Sequence, residues 1–493
     1  MKVGRSILAY LPVNLATVIV AFGGLAVLTR ILEPVEYGRY ALAMVTMLFM
    51  HMALFTWLEA CIARFQARAE RDGDEATYLK TIYTYAALIG VFGVALFSAA
   101  VWWLPIDVAL RNVLVAAIVT TGMQLSLNLG FEAHKAAHRI RRYSSVYASH
   151  QLLSFLLGIL VIMLTPVREM GMFIGIGISV LVMGMIDLPF MMKKLRGGRV
   201  ESARLKTYFS YGAPISISLV LAYALNSADM YLITAFMGEA SAGTYSAGYN
   251  LANRGMEVLF IWIGMALTPI AVTAMEQDGQ DASVDVMRDY GGLLLWIVVP
   301  AAVGLAMVAE PLGFILGEGV RDGAVQVIPF IAFSGLLNGL MTYYVHRAYM
   351  LSGETGTYAW LLVAPVALNI VMNLWLIPVH GLMGAVWATI ISYALGLVLS
   401  FAVARRHYPL PLPLTALAQI LMACALMVGV LLALPESVDA LPDAAELAVK
   451  AIVGGVVYVF VCFATDTAGC RGFVRGLFQR TDAEAGPALE AAE

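Results

Sequence analysis

The chain is a succession of apolar segments about 20 residues long, the length of helix that spans the hydrocarbon core of a bilayer. Soluble domains carry about 25% charged residues, whereas this chain has 13%, with 61% hydrophobic residues. The sequence therefore predicts an all-α polytopic membrane protein of about 14 transmembrane helices, the first of them retained and not cleaved as a signal peptide. The predicted spans are centred near Val18, Met52, Val91, Val119, Leu156, Ser179, Leu219, Leu259, Val298, Gly335, Val366, Ile391, Ala425 and Val457.

Lys and Arg residues are distributed unevenly between the two sides that these spans define. With the amino terminus in the cytoplasm, the inner segments hold 23 of the 30 Lys and Arg residues and the outer segments hold six. Cytoplasmic loops of membrane proteins carry such an excess of positive residues. Both termini are therefore predicted to be cytoplasmic, and the tail 471–493, which is acidic from Thr481 onwards, is predicted to be disordered. The formal net charge of −3 gives no reason to expect a nucleic-acid partner.

Short motifs recur in the same order at a nearly constant shift. Gly38-Arg-Tyr40 matches Gly243-Thr-Tyr245, 205 residues later, and His134-Lys-Ala136 matches His346-Arg-Ala348, 212 residues later. Two further matches pair Tyr10-Leu-Pro12 with Tyr211-Gly-Ala-Pro214 and Leu164-Thr-Pro-Val167 with Leu376-Ile-Pro-Val379. Four ordered matches at equivalent places relative to the spans indicate an internal repeat of six helices.

A repeat of six spans brings both copies into the membrane from the same side. The copies are then related by a pseudo-two-fold axis along the membrane normal, a geometry typical of transporters with two lobes around a cavity. We predict an amino-terminal lobe (1–200), a carboxyl-terminal lobe (201–408) and two extra helices (409–470). The stretch Pro34–Ala43 is interpreted as the outer hinge of a lobe, with Gly38 in a tight turn that needs a positive φ. An ordinary loop with interfacial tyrosines is the alternative.

Polar side chains within spans are costly unless they face protein or water, so they indicate a pathway. In the eighth span Asn250, Asn253, Arg254 and Glu257 fall on one helix face. Arg254 is predicted to lie about 18 Å from the outer end of its span, where a guanidinium favours an anionic passenger because it pairs with phosphate in a bidentate way. A structural ion pair between Arg254 and Glu257 is the alternative. Further candidates are Tyr223, Asn226 and Asp229 in the seventh span, and Arg30 and Glu59 near the ends of the first two.

Several other polar residues are predicted to be structural. Thr121, Gln124 and Asn128, Ser334, Asn338 and Thr342, and the pair Asn369 and Asn373 suit interhelical hydrogen bonds at least as well as contact with a solute. His51, His134, His346 and Asp187 stand isolated in the sequence, and no function is expected of them. The four cysteines show neither metal-ligand nor redox spacing, so no metal site and no cofactor is expected.

Three stretches, Tyr10–Ala43, Leu225–Ala252 and Leu368–Tyr393, resemble the Wzx-type oligosaccharide flippases of bacterial polysaccharide assembly. These proteins belong to the multidrug/oligosaccharidyl-lipid/polysaccharide (MOP) exporter superfamily. The third stretch is the most specific, with its asparagine-rich helix, its Leu-Ile-Pro break and its Gly-Ala-x-x-Ala-Thr continuation. The resemblance covers essentially the whole chain, but it identifies the superfamily better than the substrate.

The resemblance implies transport of a polyprenyl-diphosphate-linked glycan from the cytoplasmic to the outer leaflet of the bacterial inner membrane, for O-antigen or exopolysaccharide. It also implies glycan polymerase and export proteins as partners beside the lipid bilayer. Family members carry basic side chains in the cavity between the lobes. Arg254 matches this pattern by position, Arg30 and Arg64 match it less closely, and the amino-terminal lobe lacks an obvious second deep basic residue.

Rival functions come from the same superfamily and from outside it. A cation-coupled multidrug or metabolite antiporter generally relies on an acidic residue in the amino-terminal lobe, and the first span, Ser6 to Thr29, has no carboxylate. A lipid II flippase differs only in its substrate. A membrane-embedded enzyme is disfavoured because the outer segments are short, so the protein is not expected to be an enzyme. Protonation of Asp229 or Glu59, or ion binding there, is the hypothesis for energy coupling.

Overall fold

The structure is a computed structural model that describes residues 2–471. Every regular element in this part of the chain is a helix. Thirteen of these helices are long and apolar enough to cross a membrane, or up to 14 spans result if a bent pair is counted as one. The all-α fold and the number of spans predicted from the sequence are confirmed. Residues 472–493, which form nearly all of the predicted disordered tail, lie outside the described residues.

The helices follow one another with short connections. The first seven are α1 (Lys2–Val18, continuing through a π-helical turn, Ile19–Gly23, into Gly24–Ile31), α2 (Pro34–Leu54), α3 (Thr56–Arg71), α4 (Glu75–Trp103), α5 (Val108–Ala136), α6 (Ile140–Leu164) and α7 (Gly171–Leu195). The next four are α8 (Leu205–Met237), α9 (Glu239–Gln277), α10 (Gln280–Met307) and α11 (Glu318–Leu340, continuing through a π-helical turn, Met341–Val345, into His346–Ser352). The last four are α12 (Val363–His380), α13 (Leu382–His407), α14 (Leu414–Leu432) and α15 (Asp443–Thr465).

The stretch interpreted as an outer hinge is the start of α2. Pro34 takes the first helical position, which suits its fixed φ and its missing N–H. A capping box precedes it, in which Glu33 accepts from the backbone and Glu36 accepts from the Glu33 N–H at 2.9 Å. These signals begin a helix, so Gly38 is helical and has no positive φ. The expectation of a tight turn at Gly38 was wrong. Gly38 instead allows α2 to pack closely against another helix, α9.

The second predicted span is bent. Its two parts, α2 and α3, meet at an angle of 49°. Phe55 stands between them with a φ of −119° and a ψ of −28°, which departs from regular helical geometry, and it is fully buried. The apolar pattern continues through this residue without interruption, which is why the sequence indicates one straight span. The bend turns the polar second part, with Glu59 near its beginning, away from the axis of the first.

The described chain forms two compact units. The first comprises the chain up to Ala247 together with Ile315–Ala324 and Leu362–Thr389, and the second comprises Gly248–Phe314, Val325–Leu361 and the chain from Ile390 onwards. Phe55, Leu58 and Tyr78 are among the core residues of the first unit. Phe260, Val298 and Ile420 are among those of the second. The lobes proposed from the repeat, with boundaries at residues 200 and 408, stay a prediction.

Within the first unit, the first turns of α2 and α9 cross at two glycines. A Cβ on Gly38 would overlap the Glu239 carbonyl oxygen, and a Cβ on Gly243 would lie 2.6 Å from the Pro34 carbonyl oxygen. Pro34 and Gly38 precede Glu239 and Gly243 by the same 205 residues, the shift of the sequence repeat. Each helix therefore makes the same contact with the other, as a two-fold relation between repeats would produce.

Candidate functional site

The polar face of α9 is the strongest candidate site. Arg254 and Glu257 are exposed, and Asn250 and Asn253 are half-buried. The Arg254 Nε donates a hydrogen bond to the Asn250 Oδ1 at 3.3 Å. The Asn253 side chain faces α11, where its Oδ1 would lie 3.4 Å from a Cβ on Gly335. The predicted face thus divides into an open charged stripe and an asparagine packed against the neighbouring helix.

Arg254 lies deep along a long helix. Because α9 begins at Glu239, Arg254 is about 22 Å from its start, slightly deeper than the sequence predicts. Arg254 does not form an ion pair with Glu257. In the described part of the chain, no carboxylate oxygen lies within 4 Å of the Arg254 nitrogens. An unneutralised guanidinium at this depth is tolerated where it faces water or an anion.

A second guanidinium, that of Arg347 on α11, lies beside the same helix, α9. Arg347, just after the π-helical turn of α11, lies 5.9 Å from the centroid of the Tyr343 ring. Its Nη2 would be 3.8 Å from a Cβ on Gly264 of α9. Gly264 comes ten residues after Arg254, which corresponds to about 15 Å along the helix. The guanidinium groups of Arg254 and Arg347 therefore lie at two different heights along α9.

The candidates in α8 are internal. Asp229 is 2% exposed and accepts hydrogen bonds from the Tyr245 hydroxyl and from the Met230 N–H, the latter at 2.9 Å. Asn226 donates to the carbonyl of Ala222 at 2.6 Å within its own helix. Asp229 is thus a satisfied buried carboxylate in this conformation, and any exchange of ions there requires the α8–α9 contact to open.

Glu59 and Arg30 occupy different surroundings. The Glu59 carboxylate lies 3.3 Å from the His51 Nε2, and both side chains are largely buried. Glu132 is within electrostatic reach of this pair and accepts a hydrogen bond from Lys135 at 2.5 Å. Arg30 is exposed and donates to the Ala26 carbonyl at 2.9 Å. The structure therefore pairs Glu59 with a histidine that the sequence left isolated.

The weaker polar stripes have structural partners. Asn373 donates to the Asn369 Oδ1 at 2.9 Å, and both asparagines are fully buried. Thr121 donates to the carbonyl of Ala117 at 2.8 Å. All four cysteines are buried and unpaired, and burial raises the pKa of the Cys470 thiol. The Asn373–Asn369 and Thr121–Ala117 bonds each lie within one helix, so the interhelical hydrogen bonds of the structural interpretation stay a prediction.

Charged groups surround the glycine crossing of α2 and α9. The Arg39 guanidinium reaches Asp107 and Glu169, each at 3.1 Å, and Glu239 at 3.6 Å. Nearby, the Gly317 N–H donates to the Thr29 hydroxyl at 3.0 Å, and a Cβ on Gly317 would overlap the Thr29 carbonyl oxygen. The predicted outer end of the first unit is therefore closed by backbone contact and by one arginine that joins three carboxylates.

A buried ion cluster lies at the predicted inner end of the first unit. The Asp187 carboxylate, 2% exposed, lies 2.9 Å from the His134 Nε2 and accepts from the Arg142 Nε at 2.8 Å. His134 and Asp187 were considered isolated because 53 residues separate them in sequence. The fold brings α5 and α7 together and so makes His134 and Asp187 partners. No local sequence pattern predicts this pairing.

Comparisons with known proteins settle the family. A family model for polysaccharide biosynthesis proteins matches residues 27–319, more than half of the chain. The chain belongs to the polysaccharide biosynthesis protein family. No curated protein sequence matches the chain.

Solved structures share the fold of this family member. An inward closed conformation of the lipid II flippase MurJ aligns with a TM-score of 0.74 at 10% identity and covers 93% of this chain and 99% of its own. An inward-facing multidrug resistance MATE family transporter of the MOP superfamily aligns with a TM-score of 0.64 at 12% identity, over 81% and 97%.

A third structure is a MOP superfamily transporter from Pyrococcus furiosus, with a TM-score of 0.56, 13% identity and coverage of 81% and 94%. Its title describes a reversed polarity of the binding pocket. The resemblance to the MOP exporter superfamily is confirmed by the family match together with the shared fold. The chain is a multi-pass membrane protein whose family and fold neighbours are transporters and flippases.

Proposed function

We propose that the protein is a flippase that moves a polyprenyl-diphosphate-linked oligosaccharide across the bacterial inner membrane, from the cytoplasmic to the outer leaflet. The observation that carries this proposal is the exposed Arg254, about 22 Å along α9 and without a carboxylate partner among the described residues. A fixed cation in a membrane span suits a passenger that brings its own negative charge. A cationic drug would be repelled by it.

The guanidinium of Arg347 is a second reason to propose an anionic passenger. Arg254 and Arg347 lie about 15 Å apart along α9, so an anionic head group leaving one guanidinium approaches the next. Guanidinium groups pair with phosphate in a planar, bidentate way and stay charged at any physiological pH. The amide of Asn250 beside Arg254 suits sugar hydroxyls. The diphosphate would bind the arginines while the polyprenyl tail stays in lipid.

The proposed mechanism is alternating access between the two six-helix repeats. The crossing of α2 and α9 at Gly38 and Gly243 closes the predicted outer end in this conformation. Release to the outer leaflet then requires this crossing to separate. Binding of the head group shifts the equilibrium between the outer-closed and outer-open conformations only if the two conformations bind it with different affinities.

The test is mass spectrometry of lipid extracts from the native strain and from a deletion of this gene. Accumulation of a polyprenyl-diphosphate oligosaccharide supports the flippase and identifies the passenger, because an untransported intermediate builds up on the cytoplasmic side. Accumulation of lipid II would instead identify a lipid II flippase. An unchanged pool of lipid-linked glycans, with altered sensitivity to cationic drugs, would replace the proposal by the antiporter.

Replacing Arg254 should reduce transport without reducing the amount of protein. Loss of one charged hydrogen-bonded contact costs about 1.5–3 kcal/mol, which corresponds to about a 10- to 100-fold loss. Arg254→Ala in the deletion strain should therefore restore little surface glycan, and Arg254→Lys should restore an intermediate level because it keeps the charge but loses the bidentate geometry.

Arg288→Ala is the matched control for this substitution. Arg288 is also an exposed arginine of the second unit, but it pairs with Asp285 at 2.6 Å within one helix end. The Arg288→Ala variant should therefore transport the glycan normally. Normal transport by Arg254→Ala at normal abundance would remove the anion-binding role of Arg254.

Energy coupling is proposed to use Glu59 or Asp229. Glu59 is held by His51 at 3.3 Å and Asp229 is held by the buried Tyr245, so protonation of either carboxylate would change a helix contact. We expect transport in inverted vesicles to fall when the proton gradient is collapsed, and Glu59→Gln or Asp229→Asn to remove that dependence. Glu310→Gln, at an exposed position, should keep it. Transport that ignores both proton and sodium gradients would contradict coupling at these residues.

A further inference from the structure

A basic cavity opens at the predicted cytoplasmic end of the first unit, away from the α9 stripe. Its volume is about 640 Å³, and it is lined by Ala9, Phe190 and the five consecutive residues from His138 to Arg142. A volume in this range accommodates a small ligand or a lipid head group. Nothing in the proposed transport pathway uses these arginines.

Two of the guanidinium groups are held in fixed positions by one aromatic ring. The Arg142 Cζ lies 4.1 Å from the centroid of Phe190, and the Arg139 Cζ lies 5.2 Å from it. Arg142 is fixed further by its hydrogen bond to Asp187. Stacked cations lose less conformational freedom when a ligand binds, so this part of the cavity is preorganised.

The charge of the cavity is not balanced within the protein. Asp187 offsets Arg142 at 2.8 Å, but within the described residues no carboxylate lies within 4 Å of the nitrogens of Arg139 or Arg141. Arg139 is the cap residue before α6 and is partly exposed, and Arg141 lies in the first turn of α6 and is exposed. Two positive charges therefore remain for a ligand to neutralise.

The backbone adds donors at the same place. Helix α6, 25 residues long, begins at Ile140, and its cap residue Arg139 provides no side-chain cap. The first N–H groups of a helix have no partner within the helix, and the helix dipole favours an anion there. His138, with a φ of 54°, turns the chain so that the arginines precede and begin this helix. The cavity thus combines guanidinium groups and a helix start around one volume.

We propose that this cavity binds the phosphate group of a lipid at the cytoplasmic leaflet, with Arg139 and Arg141 neutralising it and the start of α6 donating to it. Basic pockets at the cytoplasmic side of transmembrane helices suit phosphate-bearing head groups. Two lipids share this chemistry: an anionic phospholipid, and a polyprenyl diphosphate. The second would make the cavity a first contact for the passenger of the proposed flippase.

The test is native mass spectrometry of the purified, delipidated full chain titrated with cardiolipin, undecaprenyl diphosphate and phosphatidylcholine. We expect saturable binding of one phosphate lipid, and binding at least about tenfold weaker in Arg139→Ala/Arg141→Ala, because two charge-assisted contacts are lost. Phosphatidylcholine, which has no net charge, should not show the saturable site.

Arg405→Ala/Arg406→Ala is the matched control. Arg405 and Arg406 are likewise two arginines at a predicted inner helix end, with the Arg405 Cζ 5.7 Å from a phenylalanine ring. The Arg405→Ala/Arg406→Ala variant should bind lipid as the unmodified chain does. Equal losses in both double variants would indicate diffuse attraction to the inner end and would overturn the proposal, as would the absence of saturable binding.

The same titration separates the two lipids. Tighter binding of undecaprenyl diphosphate than of cardiolipin, with displacement by inorganic diphosphate, assigns the cavity to the carrier; the reverse order assigns it to a bound phospholipid. The first result stands even if deletion of the gene leaves lipid-linked glycans unchanged, so the two proposals fail separately. Because Arg141 is exposed, Arg141→Glu is a second variant that tests the charge without disturbing packing, and unchanged binding by it would contradict the site.

Discussion

Gly38→Ala is expected to abolish most transport. The added Cβ would overlap the Glu239 carbonyl oxygen and lie 2.5 Å from the Glu239 carbonyl carbon. Both are backbone atoms, so no side-chain rotation relieves the overlap, and α2 and α9 must move apart. Overpacking of this kind costs about 1–3 kcal/mol, and a cost of 3 kcal/mol shifts the equilibrium away from the outer-closed conformation about a hundredfold. Surface glycan in the complemented deletion strain is the measurement.

Gly184→Ala is the control for that substitution. Gly184 also lies within a helix of the first unit, but a Cβ there meets no atom within 4 Å. Replacing glycine by alanine in a helix stabilises it by about 0.5–1 kcal/mol when space is available, so transport should be kept. Gly243→Ala, the counterpart on α9, should behave as Gly38→Ala does. Normal transport by both Gly38→Ala and Gly243→Ala would mean that the crossing is not needed for the transport cycle.

Asp187→Asn is expected to cause the largest loss of stability. The carboxylate is 2% exposed and joins His134 to Arg142. Removing one partner of a buried ion pair leaves a charge without compensation and costs about 3–5 kcal/mol. We expect a lower thermal unfolding temperature in detergent and less protein in the membrane, measured by a fluorescence-detected size-exclusion assay after heating.

Asp439→Asn is the matched control for the buried carboxylate. Asp439 pairs with Lys450 at 2.9 Å, but its side chain is 63% exposed. Exposed ion pairs contribute about 0–1 kcal/mol, so this variant should unfold close to the unmodified chain. Equal thermal shifts for Asp187→Asn and Asp439→Asn would contradict a structural role for the buried cluster. Asp187→Asn combined with Arg142→Gln should recover part of the loss, because the uncompensated charge is then removed.

Much of the fold follows from hydropathy. Fourteen apolar segments of membrane-spanning length predict the helices, because a span in lipid must satisfy its own backbone and can do so only as a helix or a closed barrel. The bend at Phe55 escapes this reasoning, since a buried phenylalanine is as apolar as its neighbours. Gly38 is a second case, because a glycine near a proline suggests a turn. The capping box of Glu33 and Glu36 instead begins a helix there, and Gly38 allows that helix to cross α9 closely.

The site was predicted in part for equally physical reasons. Helical spacing alone brings Asn250 and Arg254 together, since residues four apart share a face. The His134–Asp187 pair joins two helices, and only tertiary packing brings its members to 2.9 Å. Asp229 gained its partner Tyr245 in the same way. Patterns within one helix can therefore be read from a sequence, whereas partners on different helices require the fold.

The widened turn at Met341–Val345 has a consequence for helix phase. A π-helical turn contains one residue more than the α-helical count. In a regular α-helix Arg347, nine residues after Asn338, would point about 180° away from it. The extra residue removes about 100° of that rotation, which leaves Arg347 about 80° from Asn338. Deleting one residue from this turn would restore a regular α-helix in which Arg347 follows Asn338 by eight positions, again about 80° away. The bulge therefore lets this helix contain one extra residue without turning the second guanidinium to the opposite side.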